Sequence, residues 1–167
     1  MLQLAAVGLH EDGFDLVVAF ERGILIGNTR ALWAPFCANR RDEPDPLDRY
    51  TERCVEAAYP GANISYAHRP PFLPFQQYAV EAGIAAMSPG HLAIHPVYGP
   101  WFALRALVHR PGPRRQPIEK PCVCARACEV PTDGNWLAMR DACSTGRAHR
   151  YSDAQVEYHY TRSLLAR

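Results

Sequence analysis

The stretch Ile94 to Gly112 reads IHPVYGPWFALRALVHRPG, and the alternation inside it sets the fold. Phe102, Leu104, Ala106 and Val108 alternate with Trp101, Ala103, Arg105 and Leu107, the period of two expected of a strand with apolar residues on both faces. His95 and Pro96 lead into a Gly-Pro turn at Gly99 and Pro100 that opens this strand. Arg105 interrupts the apolar run. An arginine in that setting is either ion-paired, with Asp141 or Glu81 as the available acids, or aimed at an anionic ligand.

Working outward, DLVVAF (Asp15 to Phe20) and GILIGN (Gly23 to Asn28) are strand candidates, and NISYAH is a third. TRALWAPFCANR has a capping threonine, Thr29, and apolar Leu32, Trp33 and Phe36 at helical spacing. Asp45 and Pro46 open a second helix whose buried stripe is expected to be Leu47, Tyr50, Cys54, Ala57 and Ala58. Pro70, Pro71 and Pro74 hold the next loop extended, so Phe72, Leu73 and Phe75 pack or line a cavity. A third helix is read over FQQYAVEAGIAAM, with small residues Ala79, Ala82, Gly83 and Ala86 along one side. The final helix begins at Ser152, and SDAQ places Gln155 for a capping box. Helices mixed with about five strand candidates predict an α+β or α/β sandwich.

The chain has 167 residues, enough for one domain with a substantial core. We take residues 1–121 as its body and 122–167 as a cysteine-rich segment and C-terminal helix completing the same domain. With 18 basic and 17 acidic residues the net charge is +1, which gives no basic field for nucleic acid. No run approaches the roughly 20 apolar residues of a membrane span, and the first residues lack signal-peptide character, so a cytoplasmic protein with no membrane partner is expected.

Four of the six cysteines fall late, at Cys122, Cys124, Cys128 and Cys143. In a reducing compartment such a quartet suits zinc or an iron–sulfur cluster, because both take soft thiolate ligands. The spacing C-x-C-x3-C-x14-C matches neither common pattern, so a set of buried or loop thiols stands beside metal binding as an equal reading.

The motifs IHPVYGPWFALR, RDA (Arg140 to Ala142), RYSDAQ (Arg150 to Gln155) and YHY (Tyr158 to Tyr160) occur in one order along the chain. In this they resemble the MMACHC-like (CblC) cobalamin-processing family. The resemblance implies a nitroreductase-like α/β sandwich, with a mixed, mostly antiparallel sheet flanked by helices. It also implies base-off binding of cobalamin and removal of its upper ligand, either as cyanide by reduction or as an alkyl group passed to glutathione. On this reading the chain is a cyanocobalamin reductase or alkylcobalamin dealkylase. The corrinoid cavity is expected to be lined by Phe72, Phe75, Gln76, His95, Pro96, Tyr98, Gly99 and Trp101, and the glutathione carboxylates to lie on Arg105, Arg140 and Arg162. No catalytic residue is assigned. The cysteine segment resembles shortened cluster segments of epoxyqueuosine reductases and reductive dehalogenases, which implies a [4Fe-4S] cluster on Cys122, Cys124, Cys128 and Cys143. That cluster, a thiol or another donor would supply electrons; FMN ranks behind them, because no phosphate cradle is visible. A small iron–sulfur electron-transfer protein and a noncatalytic corrinoid carrier, with a zinc-stabilised tail or without, are the alternatives. A monomer or a homodimer is expected.

Overall fold

A computed structural model describes residues 2–119 and 134–161. Its centre is a four-stranded antiparallel sheet in the order β1-β2-β6-β3. β1 (Leu16–Phe20) and β2 (Gly23–Asn28) form a hairpin, and β6 (Ala103–Val108) pairs with β2 on one side and with β3 (Ile64–Tyr66) on the other. Every residue of β2 is buried, as its GILIGN sequence requires of a strand covered on both faces.

Helices cover both faces. α1 (Leu2–Glu11), α2 (Trp33–Asn39) and α3 (Pro46–Ala58) place Leu9, Phe36, Tyr50 and Val55 against Ile24, Ile26, Ala106 and Val108. On the other face α4 (Phe75–Glu81) sets Tyr78 and Ala79, with Ala82 just beyond it, against Phe20, Leu25 and Leu107. A short hairpin, β4 (Ala86–Met87) with β5 (Ala93–Ile94), follows α4. The chain thus has the expected mixed α/β architecture, an antiparallel sheet flanked by helices. Among the described residues no helix is long and apolar enough to cross a membrane.

Four local expectations change. The alternation along β6 is broken: Ile26 pairs with Ala106 but Gly27 pairs with Leu104, which leaves Arg105 as the extra residue of a β-bulge. Phe102, Leu104 and Leu107 therefore share one face, while Ala106 and Val108 share the other. The stripe on α3 turns toward Val55, and Ala57 is exposed. α4 stops at Glu81 instead of running to Met87, because Gly83 adopts φ +68°, at a position where a Cβ would lie 2.5 Å from the Gln116 carbonyl oxygen. The C-terminal helix is only one turn, α6 (Asp153–Val156), continued by a π-helical turn Glu157–Thr161. Ser152 caps it by accepting from the Gln155 backbone N–H, but the Gln155 side chain does not return to complete the capping box.

The segment after β6 comes back to the sheet through α5 (Trp136–Ala142) and a tight backbone contact. A Cβ on Gly99 would lie 1.9 Å from the Thr145 carbonyl oxygen, and one on Gly146 would meet the Tyr98 carbonyl at 2.2 Å. Only glycines allow the turn before β6 and the loop after α5 to interlock in this way, and both have positive φ.

Candidate functional site

The site is built where β2 ends and β6 begins. Asp15 accepts from the Thr29 N–H at 2.7 Å, which fixes the chain leaving β2. Asn28, fully buried at that strand end, donates through its amide nitrogen to the Thr29 carbonyl and accepts from Arg105 Nε at 2.8 Å. The bulge turns Arg105 out of the ladder and Asn28 then orients its guanidinium. Arg140, from α5, reaches the same strand end and donates through Nη1 to the carbonyls of Pro100 and Phe102, at 2.6 and 3.3 Å.

Neither arginine has a carboxylate within ion-pair distance among the described residues. Both acids considered from sequence are engaged elsewhere: Glu81 pairs with Arg22, and Asp141 with Arg150. Asp48 on α3 attracts Arg105 at longer range, while its own close contact is His68 Nδ1 at 3.6 Å.

Tyr151, Tyr158, His159 and Tyr160 complete the corner. Tyr151 packs on Trp101, with ring centroids 5.5 Å apart, and on His159 at 5.6 Å. The electrostatics follow from burial and from the two cations. Burial lowers the pKa of Arg105 below its ordinary value, with Arg140 adding to the effect. Burial, then Arg105 and Arg140, push His159 down to about 3, so it is neutral at physiological pH. Burial raises Tyr151 and Tyr160 against the pull of both arginines, so their hydroxyls stay protonated.

Polar atoms in this corner lack partners. Arg140 Nε, the Tyr151 hydroxyl and both ends of the Gln155 side-chain amide are buried without a hydrogen bond among the described residues. Leaving such a group unmade costs about 1–3 kcal/mol each. A buried group left so calls for an explanation, and a ligand that supplies the partner is one.

Of the residues expected to line a corrinoid cavity, Phe75 and Gln76 border a cleft of about 280 Å³ together with Phe102, Leu104, Trp136 and Arg140. Gln76 also accepts from the Ala93 N–H at 2.7 Å. Trp101 is enclosed beneath Tyr151 and the Arg150 guanidinium. His95 Nδ1 accepts from the N–H groups of Val97 and Tyr98, at 3.1 and 3.3 Å, so its proton sits on Nε2 and the ring shapes the turn before Gly99. Burial keeps it neutral by lowering its pKa. Pro96 is exposed and Phe72 is 74% exposed, and neither borders that cleft.

Cys122, Cys124, Cys128 and Arg162 lie outside the described residues. Cys143 is buried among Leu92, Ile94 and Met139. Among the described residues no group of three or more His, Cys, Asp or Glu has metal-binding geometry.

No family model and no curated protein matches the chain. Solved structures do. The C. elegans B12-trafficking protein CblC, described as a human MMACHC homologue, aligns with a TM-score of 0.45 and 18% identity over 81% of this chain and 72% of that one.

Sequence reasoning missed Asn28, and met Tyr151, Gln155 and His159 only as members of the RYSDAQ and YHY motifs, Gln155 also as a capping residue. Asn28 carried a signal, as a polar residue closing an otherwise apolar strand. Tyr151 stands just before the cap of α6, Gln155 inside that helix and His159 in the π-helical turn that follows, so no single period ties them together.

Proposed function

We propose that this chain binds a corrinoid base-off and processes its upper axial ligand, with a thiol tripeptide of the glutathione type held at the two-arginine corner. The single observation that carries the reading is the convergence of Arg105 and Arg140 at one strand end, with no carboxylate partner among the described residues and with unpartnered polar atoms around them. Guanidinium forks suit the carboxylates of such a peptide, and half-dry surroundings strengthen the pairing. The ordered motifs IHPVYGPWFALR and RYSDAQ supply the corrinoid half of the proposal.

In alkyl removal the thiolate sulfur attacks the carbon bound to cobalt. A carbon–sulfur bond forms, the cobalt–carbon bond breaks, and its electron pair remains on the metal. The protein's part is to hold sulfur and carbon in line, an effect of proximity. Arg105 and Arg140 anchor the far end of the peptide, and the neutral His159 adds no competing positive charge beside them. Removal of cyanide instead needs electrons from an external donor.

Titration of the anaerobically purified protein with methylcobalamin tests the proposal. The visible spectrum is expected to shift to the base-off form and to saturate near one equivalent; a spectrum that stays base-on at every ratio overturns it. Adding glutathione then consumes the methyl–cobalt bond. Arg105→Gln and Arg140→Gln are each expected to raise the glutathione concentration required by about 10–100-fold, the loss typical of a charge-assisted contact of 1.5–3 kcal/mol. The corrinoid spectral shift is unchanged in both variants.

A further inference from the structure

We infer that Gln155, with the Tyr151 hydroxyl and Arg140 Nε, forms a subsite that reads an amide group of the bound ligand. The inference rests on the function proposed above and adds the chemistry that selects the ligand. Gln155 is 1% exposed, and neither its amide nitrogen nor its carbonyl oxygen has a hydrogen-bond partner among the described residues. Its place is fixed by its neighbours: Val156, the next residue, packs with Tyr151 and Trp101, and the ring centroids of Tyr151 and His159 lie 5.6 Å apart. Arg140 reaches the same corner, because the carbonyls it holds, those of Pro100 and Phe102, flank Trp101, which packs on Tyr151.

The pattern of orphaned atoms selects the ligand class. A carboxylate would satisfy the Gln155 nitrogen and set oxygen against oxygen at the other end. An ammonium group would do the reverse. A group that donates and accepts side by side satisfies both ends at once, and an amide does so in a flat, two-bond pair. The Tyr151 hydroxyl and Arg140 Nε remain for a second carbonyl nearby. Both ligands of the proposed reaction carry amides, the thiol peptide in its backbone and the corrin in the carboxamides at its rim.

Calorimetric titration of wild type and Gln155→Met with two probes separates these sources. S-methylglutathione offers peptide amides without a corrin, and cobinamide offers corrin carboxamides without a peptide. The variant is expected to bind one probe about tenfold more weakly, the loss of a buried amide pair. Loss confined to S-methylglutathione assigns the subsite to the peptide; loss confined to cobinamide assigns it to the corrin rim. In the ligand-free state Gln155→Met is expected to melt at or above wild type, since it removes two unpartnered polar atoms at nearly constant volume. Unchanged affinity for both probes, or a lower melting temperature without ligand, overturns the subsite and leaves the proposed function standing. Wild type that binds neither probe removes the function and the subsite together. Gln155→Glu, which keeps the shape and removes the donor, is the second variant and is expected to lose the same probe.

Discussion

Arg105 shows how one side chain is prepared by several others. The Asp15 carboxylate fixes Thr29, Thr29 holds the Asn28 amide, and Asn28 presents an oxygen to Arg105. The cost of drying a guanidinium is thus partly offset by one good hydrogen bond, while the remaining donors stay available. His159 records the same environment as a pH dependence. Its pKa in the folded chain is about 3, whereas in the unfolded chain it is close to the ordinary 6.5. Between those values the unfolded state takes up the proton and the folded state does not. The contribution is therefore fully present above pH 6.5 and is lost as pH falls, by about 1.4 kcal/mol for each unit. Urea unfolding at pH 6, 5 and 4 is expected to approach that slope. His159→Phe should flatten it, and the residual slope belongs to groups such as His95, which burial shifts in the same direction.

At the scale of elements, the interlock of Gly99 with Thr145 and Gly146 decides whether α5 and α6 meet the sheet at all. A methyl group there cannot be relieved by a rotamer change, because its obstacle is backbone. Gly99→Ala is expected to cost about 3 kcal/mol or more, combining positive-φ strain with the displacement of a carbonyl. Because the interlock seats Arg140 and Tyr151, the same substitution also weakens S-methylglutathione binding, which separates it from a change in stability alone. Ser152→Ala removes the side-chain acceptor for the Gln155 N–H and is expected to cost about 1 kcal/mol in urea titrations. β6 itself was legible as a strand from its apolar alternation, but its facing was not. The bulge depends on Gly27 in the neighbouring strand, where a Cβ would meet the Ala103 carbonyl at 2.6 Å. No pattern within β6 contains that information.

For the whole molecule, the two apolar clusters lie on opposite faces of one sheet and share its strands. Neither face holds its strands in place without the other. Far-UV circular dichroism and tryptophan fluorescence are therefore expected to report one coincident unfolding transition. Binding of ligand to the folded state alone raises the melting temperature: S-methylglutathione at 100 times its dissociation constant adds about 2.7 kcal/mol, or about 5–10 °C for a chain of this size. No shift at that concentration would show that the arginine corner does not take this peptide.

The sequence by itself determined the four strands of the main sheet, the helix starts at Thr29, Asp45 and Ser152, and the mixed α/β class, because period and capping are local properties of the chain; the short β4 and β5 were not legible in it. It also singled out Arg105 as unusual, and the resemblance carried by RDA added Arg140. Only the tertiary structure decided that these two arginines meet, that Asp141 and Glu81 are taken by Arg150 and Arg22, and that Gln155 is buried with both amide ends unpartnered among the described residues. The physical reason is that pairing and desolvation depend on which distant segments share space. Here that was settled by a bulge and a glycine interlock that bring the segment around residue 150 against the start of β6.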